Sequence, residues 1–251
     1  MTRNLVAKRV SRHNDSATSK KLKAGKPSAM EGFFIAPNGQ KFYGKPRTLY
    51  IDIETAPSLG YVWGKWEQNV IEFKRSWFIL SFSHRWGDET TTHVHSLRQY
   101  KGYKQDKFND RALMLDLRDI MESADIIVSH NGDRFDFKKI RTRFFINKLR
   151  FRKGGGNFIS IDLLKMFRSL FAFDSNKQDD LGKELETGRK LATHGKNTWL
   201  GCYAGDPKEW SIMEKYNIAD VELLYRNAQR LFDWIPEKSN RRKPITVKSL
   251  L

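Results

Sequence analysis

The sequence predicts an α/β domain, a mixed β-sheet with helices on both faces. Three observations predict it: a strand of strict alternation at residues 48–54, a short apolar strand at 125–129 running into an amphipathic helix, and a long capped helix beginning near Asp206.

The elements follow in order. Phe33 to Tyr43, with Pro37-Asn-Gly39 inside, reads as a short hairpin. In Thr48 to Glu54, Leu49, Ile51 and Ile53 alternate with Tyr50, Asp52 and Glu54, which puts the two sets on opposite faces of one strand. A Gly-containing loop carrying Tyr61, Trp63 and Trp66 comes next. Ser76 to Arg85 and Thr90 to Leu97 then form an antiparallel pair turning at Gly87-Asp88. Leu113, Leu115, Leu117, Ile120 and Met121 supply the apolar side of a helix spanning about 110–123. Asp125 to Ser129 is a buried strand. Beyond it Phe137, Ile140, Phe144, Phe145 and Leu149 recur at helical spacing, with Lys138, Lys139, Arg141, Arg143 and Lys148 covering the remainder. Gly154 to Gly156 ends this unit. Phe158 to Ile161 is a strand feeding a helix that Asp162 caps. A shorter helix lies near 179–186, then a Gly-punctuated loop. The last helix starts with Asp206 as cap, Pro207 in its first turn and Glu209 three residues after the cap, and stops before Pro236.

A chain of 251 residues holds one well-buried α/β domain plus tails and is too short for a polymerase and a nuclease together. The formal charge is +17. Residues 1–30 carry eight Lys/Arg against one Asp and residues 237–251 five against one Glu, leaving six net positive charges for the middle. Residues 1–45 therefore read as a basic, largely flexible arm, 46–236 as the folded domain and 237–251 as a basic tail. Such arms suit a polyanionic partner, nucleic acid above all, because phosphate neutralisation releases counterions. The single Cys202 excludes a disulfide framework and a Cys-based zinc site within one chain, and is read as a packing residue. No segment approaches the roughly 18 apolar residues that span a bilayer, so no membrane partner is expected. Localisation is expected to be cytoplasmic. The acid-poor, Ser/Lys/Arg-rich first 30 residues also suit an organellar transit peptide, and the two readings stand side by side.

Three acidic fragments carry the chemistry: Asp52-Ile-Glu54, Asn131-Gly-Asp-Arg-Phe-Asp136 and Tyr216-Asn-Ile-Ala-Asp220. Asp52 and Glu54, two apart on a strand, project from one face close enough to share a metal. Tyr216 and Asp220, four apart on a helix, lie one above the other. Asp136 opens the basic helix. Nearby Asp133 competes with it, although Asn-Gly-Asp is turn chemistry and Asp133 suits a cap. Alone, Asp-x-Glu is what an exposed strand edge offers, and Tyr-x-x-x-Asp what a packed helix offers. All three in order, on these element types, amount to the equipment for holding two hard divalent cations at a phosphodiester.

Over about residues 46–235 these motifs resemble the DEDD 3′→5′ exonucleases of the ribonuclease H-like superfamily, in the subclass with Tyr in the third motif. The Asn-x-x-x-Phe-Asp form of the second motif is similar to the proofreading domain of family B polymerases. Gly64, Trp66 and the aromatic strand ending at Trp86-Gly87 resemble compact stand-alone members from bacteriophages and bacteria. The resemblance implies a ribonuclease H-like domain with catalytic residues Asp52, Glu54, Asp136, Tyr216 and Asp220. Asp52, Glu54 and Asp220 would hold one Mg²⁺ or Mn²⁺, with Asp52 bridging to a second supported by Asp136; Tyr216 would position the water. The substrate would be a single-stranded or frayed 3′ end, of DNA rather than RNA, released as nucleoside 5′-monophosphates, in a bacterial or phage-infected cell, with a replication or repair protein as a further partner in trans. Asn131, Phe135, Lys138, Lys139, Trp63 and Trp66 are the expected nucleic-acid contacts, the aromatics by stacking and the cations along the backbone. A structure-specific endonuclease on the same fold and a non-catalytic nucleic-acid-binding module are the alternatives. His93 and His95 share a strand face, and the sequence offers no third ligand beside them.

Overall fold

The computed structural model describes residues 33–35, 41–43, 46–66, 69–152 and 156–234. The first 32 residues, Pro37-Asn-Gly39, Gly154-Gly155 and the 237–251 tail lie outside the described residues. Strands β1 (Phe33–Ile35) and β2 (Lys41–Tyr43) pair antiparallel as the hairpin read from sequence.

At the centre stands β3 (Thr48–Thr55). Its odd positions Leu49, Ile51 and Ile53 are buried on one side and Tyr50 on the other, so the period of two is satisfied on both faces. Two further strands form an outlying antiparallel hairpin, β4 (Leu59–Tyr61) and β5 (Glu72–Arg75), where the sequence suggested only a loop. Strand β6 (Ile79–Trp86) pairs antiparallel with β3, placing Ser83 opposite Asp52 and Ser81 opposite Glu54, and a bulge breaks the register between Glu54 and Thr55. Strand β7 (His93–Ser96) pairs with the outer side of β6. On the other side of β3 lie β8 (Ile126–Ser129) and β9 (Ile159–Asp162), both parallel. The order β7-β6-β3-β8-β9 makes a mixed five-stranded sheet.

Helices cover both faces. The first face packs Leu49, Ile51, Ile53 and Ile127 against α1 (Arg111–Glu122) and α2 (Asp136–Ile146), through Leu113, Leu117, Phe137 and Ile140. Against the second face, Tyr50, Ile126, Val128 and Ile161 meet α3 (Leu163–Leu170), α4 (Gln178–Glu184) and α6 (Pro207–Trp234). The loop expected between α4 and α6 contains a further helix, α5 (Lys196–Ala204), ended by Gly205 at φ 91°. The start of α6 is as read: Asp206 Oδ1 accepts from the Lys208 amide at 2.8 Å. Glu209 does not complete the capping box and instead meets His194 Nδ1 at 2.7 Å. No described helix is long and apolar enough to cross a membrane.

Arg143 departs from the expected basic stripe of α2. It turns inward and clamps the fully buried Asp110 with two bonds of 2.7 Å, while Asp110 also accepts from the Ile79 amide. Helix period alone could not tell it from its solvated neighbours, because its partner is 33 residues away.

Candidate active site

Strand β3 delivers Asp52 and Glu54 side by side on the face that α6 crosses. The buried side of α6 includes Trp210, Met213, Asn217, Asp220, Val221, Leu224, Asn227, Ala228 and Leu231, so three polar residues occupy positions where the spacing asks for apolar ones. Asn217 and Asp220 belong to the site, while Asn227 is taken up by Thr187 and the Gln178 carbonyl. One carboxylate oxygen from each of Asp52, Glu54 and Asp220 lies within 4.8 Å of the others.

Each acid takes one specific donor. Asn217 Nδ2 donates to Asp52 Oδ2 at 2.8 Å, and Asn217 Oδ1 accepts from Ser81 Oγ at 3.0 Å. Trp199 of α5 donates Nε1–H to Glu54 Oε2 at 2.9 Å. Lys190 Nζ donates to Asp220 Oδ2 at 2.6 Å and to the Tyr216 hydroxyl at 3.2 Å. Asp220 Oδ1 is buried and has no donor among the described residues.

Asp136 enters from the other side of β3. Its Oδ1 accepts from the Ile53 amide at 3.3 Å, so it sits against the backbone between the two β3 acids, buried, but outside the group that closes within 4.8 Å. Its approach depends on the turn after β8. There Asn131 adopts φ 66°, and its amide donates to Asp162 Oδ1 at 2.8 Å, while Asp162 also caps α3 at the Leu164 amide. Gly132 packs so closely on Ser129 that a Cβ would stand 2.0 Å from its hydroxyl. Asp133 does not cap α2. Its carboxylate takes Lys165 at 2.6 Å and Ser160 at 2.5 Å, tying the turn to β9 and α3.

The acids repel one another in a place poor in water. Burial raises Asp52 well above the usual carboxylate range, with Asp136, Glu54 and Asp220 adding to it. Burial pushes Glu54 up to about 8 against the Trp199 hydrogen bond, and Asp136 up to about 7 against the amides it accepts from. Asp220 is raised by burial and restrained by Lys190. Lys190 is itself held above the ordinary lysine range; burial opposes this, and Asp220 outweighs it. Burial likewise raises the Tyr216 phenol. Clustered carboxylates, Asp136 and Asp220 buried and Asp52 and Glu54 half-buried, with one oxygen unanswered by any donor among the described residues, fit hard divalent cations, whose ligands are oxygens. The donor set has the right chemistry.

Around this centre the expected nucleic-acid residues are dispersed. Trp63 and Trp66 are 81% and 85% exposed beyond β4, and Tyr61, also exposed, lies under Lys74. Phe135 is 43% exposed, with Lys139 Nζ 5.5 Å from its ring and 3.8 Å from that of Trp77. Lys138 is exposed and Asn131 half-buried. A cavity of about 500 Å³ is lined among others by Thr55, Trp77, Lys139, Lys196 and Trp199, the last of which donates to Glu54. A roomier one of about 1090 Å³ beyond α2 is lined by apolar and basic residues only and carries no carboxylate. Lys190, Trp199, Asn217 and Trp77 escaped the sequence reading. Asn217 had a signal, a polar side chain in an apolar stripe.

Residues 49–235 match the family model for the RNase_H superfamily. No curated protein matches the chain. Among solved structures it is similar to the family B DNA polymerase from the hyperthermophilic archaeon Pyrobaculum calidifontis, at a TM-score of 0.57 and 16% identity over 78% of this chain. It spans 26% of that polymerase, and the likeness is one of fold.

Proposed function

The chain belongs to the ribonuclease H superfamily, and from that premise we propose that it is a metal-dependent 3′→5′ exonuclease acting on single-stranded or frayed DNA. One observation carries the reading: Asp52, Glu54 and Asp220 converge within 4.8 Å, and Asp220 presents a buried oxygen that no donor among the described residues answers. Asp52, Glu54 and Asp220 would hold one cation, and Asp52 with Asp136 a second. Mg²⁺ or Mn²⁺ suits these oxygens. When bound, such cations supply activation of the attacking water and neutralisation of the leaving oxygen.

The protein's own groups do the rest. Asn217 and Trp199 fix the carboxylate rotamers of Asp52 and Glu54. Tyr216, its phenol kept protonated by burial, offers a hydroxyl beside Asp220 to orient the water. Lys190 brings a permanent positive charge to the point where phosphate arrives. The cavity between Trp77 and Trp199 offers a terminal base two aromatic walls, with Lys139 and Lys196 for its phosphate. Trp63, Trp66, Phe135, Asn131 and Lys138 extend the path for the strand behind it. The polymerase likeness also favours a replication partner in trans.

The deciding experiment incubates 3′- and 5′-labelled DNA and RNA oligomers with the protein in Mg²⁺, Mn²⁺ or EDTA. Mononucleotides released from DNA 3′ ends, abolished by EDTA and in Asp52→Ala and Asp220→Ala, are the expected result. Internal cuts would instead establish an endonuclease, and binding without cleavage a non-catalytic module.

A further inference from the structure

Three of the six histidines, His84, His93 and His95, gather on the sheet face opposite the carboxylates. The sequence displayed His93 and His95 alone; register supplies the third. His84 stands directly across from His93, two residues along from the Phe82–His95 pair and so on the same face. The His84 ring centre is 5.2 Å from that of His93 and 5.3 Å from that of His95. Two imidazoles on one tetrahedral zinc, with Zn–N of about 2.0–2.1 Å, have ring centres roughly 5 Å apart.

The surroundings also suit a metal. Glu89 Oε2 lies 3.3 Å from His93 Nε2, and Asp116 Oδ2 lies 3.8 Å from His95 Nδ1, with Asp116 anchored by the Tyr100 hydroxyl at 2.7 Å. A carboxylate on one ring nitrogen draws the proton there and leaves the other lone pair for a cation. His93 Nδ1 and His95 Nε2 are those lone pairs. His84 is 6% exposed and its Nδ1 has no hydrogen-bond partner among the described residues, a buried polar atom the fold leaves unanswered.

We propose that His84, His93 and His95 form a second metal site, selective for zinc, that pins the outer strand β7 to β6. Imidazole nitrogens favour zinc over the magnesium suited to the carboxylates across the sheet, so the two sites sort their ions by ligand chemistry. The rings of His84 and His93 now stack at 25°, and the three imidazoles do not yet bring one nitrogen each within 4.8 Å of the others, so binding must turn the β7 rings toward a common point. The side chains of His93 and His95 are 47% and 28% exposed, which leaves room for that turn. The ion fastens an edge strand of four residues.

The test titrates metal-free full-length protein with Co²⁺, whose visible absorption reports tetrahedral nitrogen ligation, and then displaces it with Zn²⁺. One equivalent should give the tetrahedral spectrum, and one equivalent of Zn²⁺ should erase it. The spectrum should survive in Asp52→Asn/Asp220→Asn and vanish in His93→Asn/His95→Asn, with unchanged far-ultraviolet circular dichroism. Asp116→Asn, which keeps all three ligands, should weaken zinc about 10–100-fold. Absence of the tetrahedral spectrum in the unmodified protein, its persistence in the histidine variant, or its loss in the carboxylate variant overturns the proposal.

Discussion

Lys190 is the side chain on which the charge balance of the site turns. Three carboxylates crowd within 4.8 Å, and its ammonium, 2.6 Å from Asp220, is the one cation hydrogen-bonded to any of them among the described residues. If the chain is the proposed exonuclease, Lys190→Met should lower its rate about 10²-fold, the usual cost of removing one aimed donor from a reacting site, and single-turnover kinetics would show it. An unchanged rate would remove Lys190 from the chemistry. Tyr216→Phe tests the neighbouring hydroxyl separately: turnover should fall severely while Mn²⁺ affinity, read by calorimetry, stays as it was. What the sequence displayed here was local. The spacing of two on β3 and of four on α6 exposed Asp52, Glu54, Tyr216 and Asp220. Lys190 lies in an aperiodic stretch between Gly188 and Gly195, and Trp199 reaches Glu54 across 145 residues, so only the packed chain brings them in.

The turn from β8 to α2 shows how an element is held at the geometry its function requires. Asn131 in the left-handed region, Gly132 against Ser129, and Asp162 receiving the Asn131 amide together fix where Asp136 enters. Gly132→Ala adds a methyl where only 2.0 Å separates it from the Ser129 hydroxyl. The turn must shift, so Mn²⁺ affinity and turnover should both fall, and restoring space with Ser129→Gly in the same chain should recover part of each. Further along α2, Asp110→Ala leaves Arg143 buried without its counter-charge and should cost about 3–5 kcal/mol in denaturant unfolding; a change under 1 kcal/mol would mean that water enters the clamp. Most elements were legible because burial imposes a period, as in β3, α1 and α6. The hairpin β4–β5 and helix α5 were not: every residue of β5 is exposed, and α5 buries only Thr198 and Cys202. Without a one-sided burial pattern, neither element writes its period into the sequence.

The whole molecule stores a conflict between folding and charge that the proposed cations would resolve. Glu54 is pushed from an ordinary 4.5 to about 8 and Asp136 from 3.8 to about 7, so the folded chain holds protons that the unfolded chain has already released. Bound protons are then more numerous in the folded state, and the linkage slope makes stability fall as pH rises. This contribution is fully present below about pH 4 and is lost progressively up to about pH 8, beyond which it has no more to lose. Asp179, pushed down to about 2 by Arg189, titrates below this window, whereas burial holds His84 down to about 3 and His130 to about 4, so these two add stability as pH rises to about 6.5 and the falling slope of the acids is read above it. A divalent cation competes with the same protons. Its binding should therefore release protons, tighten as pH climbs to about 8, and raise the melting temperature more at pH 8 than at pH 6. Thermal melts with and without Mg²⁺ across that range, with proton release counted by calorimetry in two buffers, measure all three effects. Glu54→Gln, which keeps an acceptor for Trp199 but removes the charge, should flatten the metal-free slope. A magnesium stabilisation equal at both pH values would mean that the cation binds elsewhere than among these acids.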